Sequence, residues 1–142
     1  MTTTMKVETK VNEGFKTDVT CSHPFVIDQP QPMGGSDMGP NPLEFFLSSL
    51  GGCICAIGRI IARQERLNVK MIDVVVEGDI DKEFLLGKTE EGRAGFQEIR
   101  LHVNVDADMT TEEKQQFIEK IGKRCPVADN IVGQSVIKTL LA

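Results

Sequence analysis

The run Gly39-Pro-Asn-Pro-Leu-Glu-Phe-Phe-Leu-Ser-Ser-Leu-Gly-Gly-Cys53 decides how this chain folds. Pro42 suits the first position of a helix, where its missing N–H leaves nothing unpaired, and Glu44 in the first turn complements the positive end of the helix dipole. From there Leu43, Phe46, Leu47, Leu50, Cys53, Ile54, Ile57, Ile60 and Ile61 recur at three- and four-residue steps, which places them on one face to about residue 66. Such a helix is roughly 36 Å long. Its middle is small, with Ser48, Ser49, Gly51, Gly52, Ala56 and Gly58, and a glycine costs about 1 kcal/mol against alanine inside a helix. Close approach of a second helix or backbone would offset that cost, so the helix is expected to be buried on most sides. Arg59, Arg63 and Arg66 form a stripe near its C-terminus, where cations suit the dipole, and a solvated face is the plainer account of them.

Upstream, residues 3 to 28 are polar and β-branched. Asn12-Glu13-Gly14 forms a turn between two expected strands and Phe25-Val26-Ile27 a third, an antiparallel meander. Asp28 to Pro42 is too rich in Pro, Gly, Gln, Ser and Asp for a regular element and reads as a long loop. Downstream, Met71 to Ile80 and the alternating Glu98 to Val105 read as strands, with Asp81 to Gly95 as the hairpin connection. Thr110 and Glu113 are spaced as a capping box for a helix through Phe117, Ile118 and Ile121 that ends near Gly122. A short helix after Cys125 and a last strand over Gln134 to Leu140 complete an α+β pattern in a single domain, 1–142.

At 142 residues the chain can bury roughly 70% of its unfolded surface and needs no disulfide to fold. A net charge of -5 argues against nucleic-acid or anionic-membrane partners. No stretch reads as the roughly 20 continuous apolar residues of a membrane span, and the N-terminus lacks the hydrophobic region of a secretory signal, so a cytoplasmic protein is expected. Its cysteines, Cys21, Cys53, Cys55 and Cys125, then read as thiols rather than a disulfide framework.

Cys125 precedes Pro126 where a helix begins, and the unpaired N–H groups and partial charge of a helix start lower a thiol pKa below the free value of about 8.5. Lys123 and Arg124 add to that field and Asp129 offsets it; a half-buried cysteine filling space is the plainer account. Cys53 shares a face with Leu50 and Ile57, where apolar burial raises a thiol pKa, so an inert core cysteine and a reactive one both remain open. Glu44 lies about 100° around the helix from Cys53, which favours capping of its own helix over direct contact. Cys55 points away from Cys53 and reads as packing. His23 and His102 are too scattered for a metal site, and no cofactor motif, phosphate loop, Gly-x-Ser-x-Gly or paired-carboxylate pattern occurs.

Taken together, Asn41-Pro42 opening a helix with a cysteine eleven residues after the proline, and Cys125-Pro126 some seventy residues later, resemble the OsmC/Ohr family of osmotically induced and organic hydroperoxide resistance proteins. The resemblance implies an OsmC-like α+β fold with antiparallel sheets, in which two chains intertwine as a homodimer around two long central helices. It implies thiol peroxidase chemistry on organic hydroperoxides: Cys53 becomes a sulfenic acid, Cys125 resolves it to a disulfide, and an external dithiol, often a lipoylated protein, restores the enzyme. Glu44 joins Cys53 and Cys125 as a catalytic candidate on this basis, and the apolar Phe45, Phe46, Leu50 and Ile54 are expected to line the substrate pocket.

The sequence departs from the peroxidase branch at two positions. There a glutamate directly follows the helix-opening proline, whereas here Leu43 does and Glu44 comes one residue later. That branch also supplies an N-terminal arginine to hold the thiolate, and no arginine precedes Arg59. Lys16, Lys10 or a helix arginine would have to substitute, and lysine lacks the bidentate fork of guanidinium. Two further readings therefore stand beside the peroxidase: a non-catalytic dimer binding a small apolar ligand or partner, and a thiol redox sensor.

Overall fold

The helix opened by Pro42 is α1, Pro42–Gln64. The computed structural model describes residues 1–142, which form two compact units, Met1–Phe46 and Leu47–Ala142, with α1 beginning in the first and running on through the second.

In the first unit, β1 (Glu8–Val11), β2 (Thr17–Thr20) and β3 (Phe25–Ile27) pair antiparallel in the order β1-β2-β3, with Glu8 opposite Thr20 and Thr17 opposite Ile27. This is the expected meander. Gly14 sits in its first turn at φ 61°, a left-handed conformation that glycine adopts without penalty. The breaker-rich segment after β3 is a built loop with one 3-10 turn, Gln31–Met33. Asp28 N–H donates to Pro40 O at 3.1 Å, which closes the loop, and a Cβ on Gly35 would collide with the Gln29 carbonyl.

In the second unit, β4 (Val69–Asp79) and β5 (Glu98–Ala107) form an antiparallel pair with a bulge between Val69 and Met71. Alternation assigns the faces. Val74 opposite Val103 and Ile72 opposite Val105 turn toward the core, while Glu77 opposite Arg100 and Val75 opposite His102 turn outward. On that outer face Arg100 pairs with Asp79 at 2.6 Å, Glu98 at 2.7 Å and Glu77 at 3.4 Å. Leu50, Ile54, Ile61 and Ala62 of α1 meet Phe117 and Ile121 of α3 (Thr111–Arg124) in the core, where Ile61 and Ile121 are 0% exposed. Thr110 caps α3 as the spacing predicts, accepting from Glu113 N–H while Glu113 accepts from Thr110 N–H. The short α2 (Lys82–Leu85) lies within the β4–β5 connection, and α4 (Pro126–Val132) follows Cys125.

Several expectations need correction. α1 stops at Gln64, because Arg66 adopts φ 56° and Leu67 N–H turns back to Ala62 O at 2.8 Å, a left-handed helix stop. Within its own unit α1 buries one face rather than most sides. Gly58 admits the ends of Ile72 and Ile121, and Gly51 admits Val76 at 3.1 Å, so side chains from β4 and α3 occupy the space there rather than another backbone. Gly52 meets nothing within 4 Å. The sequence reading also passed over α1 as a span; by length and composition alone it could cross a bilayer, although its Leu50–Ala62 face lies in the core. α3 continues past Gly122 to Arg124, since one glycine lowers helix propensity without ending the helix. Finally, no strand forms over Gln134–Leu140. Its apolar side chains stand exposed, Ile137 at 89% and Leu140 at 84%.

Candidate functional site

Cys125 is the hinge between α3 and α4, extended at φ -78° and ψ 110° because the following proline disfavours the helical region. It caps α4, its sulfur accepting from Ala128 N–H at 3.4 Å, and only 1% of its surface is exposed. Cys53, on α1, is half-buried and packs against the same core. The Cys125 side chain and the Val127 main chain are close enough to Cys53 to act on its thiol. Folding thus brings together two sulfurs far apart in sequence. Burial pushes the Cys53 thiol up, the Cys125 side chain pushes it the same way, and the Val127 main chain opposes both by favouring the thiolate.

A family model described as OsmC-like protein matches residues 34–140, a span that contains both cysteines. The chain belongs to the OsmC-like family. A relative named hydroperoxide reductase, from Mycoplasma genitalium, is 27% identical over 100 residues, covering 70% of this chain and 67% of its own. Among solved structures, an OsmC-like protein from Mycoplasma pneumoniae superposes with a TM-score of 0.80 at 22% identity, over 94% of this chain and 90% of that one. An organic hydroperoxide resistance protein OsmC from Legionella pneumophila superposes with a TM-score of 0.68 at 18% identity, over 92% and 90%. At these identities the two structures establish a shared fold.

In this OsmC-like chain the other candidates are placed as follows. Asn41 Oδ1 accepts from Leu43 and Glu44 N–H, each at 3.0 Å, and Glu44 Oε2 accepts from Asn41 N–H at 2.9 Å. The Glu44 carboxylate therefore closes a capping box on α1. Phe45 packs on Phe25 with ring centroids 4.7 Å apart, and Phe46 is exposed. Leu50 and Ile54 are both buried in the core of the second unit. Arg59 is committed elsewhere: its guanidinium donates to the carbonyls of Val69 and Lys70, the latter at 2.9 Å. Lys16 lies 3.8 Å from Asp18. Cys55 reaches toward Ile72 O at 3.8 Å, and Cys21 donates to His23 O at 3.1 Å. His102 contacts Glu77 at 3.1 Å.

A cavity of about 230 Å³, lined by Glu65, Leu67, Met109, Glu113, Phe117 and Lys120 among others, has no cysteine in its wall. Two features escaped the sequence reading. The main-chain N–H groups of Val127 and Ala128 carry no side-chain signature, although a Cys-Pro step before a helix makes the next amides available. Asp28, 1% exposed, accepts from Gln29 at 2.7 Å, Met38 at 3.1 Å and Ser36 at 3.5 Å, and these bonds, the Gln29 one foremost, hold its carboxyl below the ordinary value. An acid at the head of a Gly- and Ser-rich loop was the available signal.

Proposed function

We propose that this protein is a thiol-dependent peroxidase of organic hydroperoxides. The observation that carries the reading is that Cys53 packs against the buried cluster containing Cys125, near enough for Cys125 to act on the Cys53 thiol. Membership of the OsmC-like family and the hydroperoxide reductase name of the Mycoplasma genitalium relative support it. In the first step the Cys53 thiolate attacks the terminal peroxide oxygen; an S–O bond forms, the O–O bond breaks, and the alkoxide leaves with a proton as alcohol. In the second, the Cys125 sulfur attacks the Cys53 sulfenic acid, an S–S bond forms, and the hydroxyl departs as water. An external dithiol, a lipoylated protein by family analogy, then takes the disulfide back to two thiols.

Leu50, Ile54 and Ile57 beside Cys53 on α1 favour an alkyl over an inorganic peroxide, and Phe45 and Phe46 are proposed as further substrate contacts. Glu44 acts as a positioning residue through its cap. The working unit is proposed to be a cytoplasmic, intertwined homodimer in which the open α1 face around Gly52 packs on its counterpart and the exposed apolar residues of Gln134–Leu140 are covered.

Steady-state consumption of cumene hydroperoxide tests this reading, with dihydrolipoamide compared against glutathione as reductant. Dithiol-dependent turnover that Cys53→Ser abolishes, and a dimedone-trapped Cys53 sulfenic acid in Cys125→Ser, are expected. No turnover with either reductant contradicts it. Two observations favour the alternative of a non-catalytic dimer binding a small apolar ligand: burial raises the Cys53 thiol, and Arg59 is occupied by carbonyls. A redox sensor would form the same disulfide without turning over.

A further inference from the structure

The cavity of about 230 Å³ lies in the second unit, between the end of α1 with its turn into β4 and the start of α3. Its floor is apolar: Phe117 is 3% exposed, and Leu67 and Met109 are half-buried. Its rim is polar, formed by the exposed Glu65, Asp108, Glu113 and Lys120. The space exceeds the roughly 150 Å³ that admits benzene in an engineered protein cavity and falls below the roughly 300 Å³ at which drug-sized pockets begin. It suits one ring or one short chain. Lys120 of α3 and Glu65 at the end of α1 pair at 2.6 Å and so bridge the two walls, which leaves little to be ordered when a ligand enters.

The charges select among small ligands. Glu65 and Lys120 cancel one another. Glu113 gives Oε2 to the Thr110 N–H and keeps Oε1 free, and the Asp108 side chain makes neither a hydrogen bond nor an ion pair. Two uncompensated negative charges therefore stand over a hydrocarbon and aromatic floor, and an anion is repelled. A divalent metal ion of the hard kind takes about six oxygen ligands, and no three acidic or other ligating side chains of the chain converge as a metal site. An organic cation satisfies both parts of the cavity. Its apolar body covers Phe117, Leu67 and Met109, while its charge stays at the wet rim beside Asp108 and Glu113.

We propose that this cavity is a binding site for a small free amine with an aromatic or short alkyl body, held as its ammonium. No cysteine lines the cavity, so the assignment is independent of the peroxidase reading.

Phenethylammonium, one ring carrying one ammonium, is titrated into the full chain while the Met109 and Leu67 methyls and the Phe117 ring are followed by NMR. A saturable shift of all three is expected, with a Kd of about 1 mM or tighter. 2-Phenylethanol keeps the ring and loses the charge, and should bind about tenfold more weakly. 3-Phenylpropionate, which carries the opposite charge, should not saturate. N-acetyl-lysine methylamide presents an ammonium as a protein partner would, and should bind more weakly than phenethylammonium.

Two variants test the rim. Asp108→Asn removes a charge that holds no other group, and Glu113→Gln keeps an acceptor for the Thr110 N–H, so both should fold. Each should weaken phenethylammonium binding about threefold and the pair about tenfold, with 2-phenylethanol unaffected. Shifts that never saturate, an alcohol that binds as tightly as the amine, or variants that bind the amine as the parent does would overturn the proposal. Tighter binding of the lysine amide would also overturn it and assign the cavity to a partner's side chain.

Discussion

The α1 capping box gives a sharp test of what Glu44 does. Asn41 satisfies the N–H groups of Leu43 and Glu44, while Glu44 accepts from Asn41 N–H in return. Removing an Asn cap costs about 1 kcal/mol, within a range of roughly 0.5–2, so Asn41→Ala should lower the midpoint of thermal unfolding by about 3–5 °C in a domain this size. The Asn41 N–H that Glu44 satisfies is exposed enough for water to replace the carboxylate, so Glu44→Ala should cost about 0.5 kcal/mol. Glu44→Gln keeps an acceptor and gives up only charge against the dipole, about 0.3 kcal/mol. Because both residues serve one box, the Asn41→Ala/Glu44→Ala pair should fall short of additivity. Far-UV circular dichroism during urea unfolding measures the series, and thiol loss after one equivalent of cumene hydroperoxide is followed in parallel. A positioning role predicts that Glu44→Gln oxidises Cys53 within about twofold of the parent. A tenfold loss at unchanged stability would refute it and return the carboxylate to the chemistry.

Asp28→Asn should destabilise the loop of the first unit at neutral pH, because one amide carbonyl cannot accept from Gln29, Ser36 and Met38 as a carboxylate does. Since the native carboxyl titrates below its ordinary 3.8, its contribution is complete above that value and is lost as pH falls through the lower native one. The urea midpoints of parent and variant should therefore converge on acidification toward pH 3, and a gap independent of pH would contradict the assignment. Ile121→Ala, at a fully enclosed position, should cost about 2–5 kcal/mol in the same assay. A loss under about 1 kcal/mol would place the core elsewhere. Gly52→Ala should gain about 1 kcal/mol of helix propensity in an isolated chain but weaken a dimer that packs on that face. Concentration-dependent unfolding decides, and a variant that is more stable with unchanged assembly rules out the packing.

The sequence made α1, the meander and the α3 cap legible because each is encoded locally. Pro42 with Glu44, Asn12-Glu13-Gly14, and Thr110 with Glu113 specify turns and ends without help from the rest of the chain. What it missed depends on tertiary context. Gln134 to Leu140 has strand composition, but a strand forms only by pairing with an edge, and this segment pairs with none. Gly51 and Gly58 read as a seat for a second helix or backbone; α3 does supply Ile121 at Gly58, while Ile72 and Val76 come from β4, which no spacing within α1 announces. The cysteines were visible as candidates, and the fold supplies their contact. The amides of Val127 and Ala128 lie outside what residue types can show, since every non-proline residue carries the same group.

The central claim is that Cys53 and Cys125 form a peroxide-reacting pair, and a single turnover tests it most directly. Fully reduced protein is mixed with one equivalent of cumene hydroperoxide, in parallel with hydrogen peroxide, and thiols are counted before non-reduced peptides are weighed. The account predicts rapid loss of two thiols per chain, a Cys53–Cys125 disulfide as the product, and faster reaction with the organic peroxide. Persistence of both thiols for minutes, or oxidation confined to Cys21 or Cys55, would contradict it.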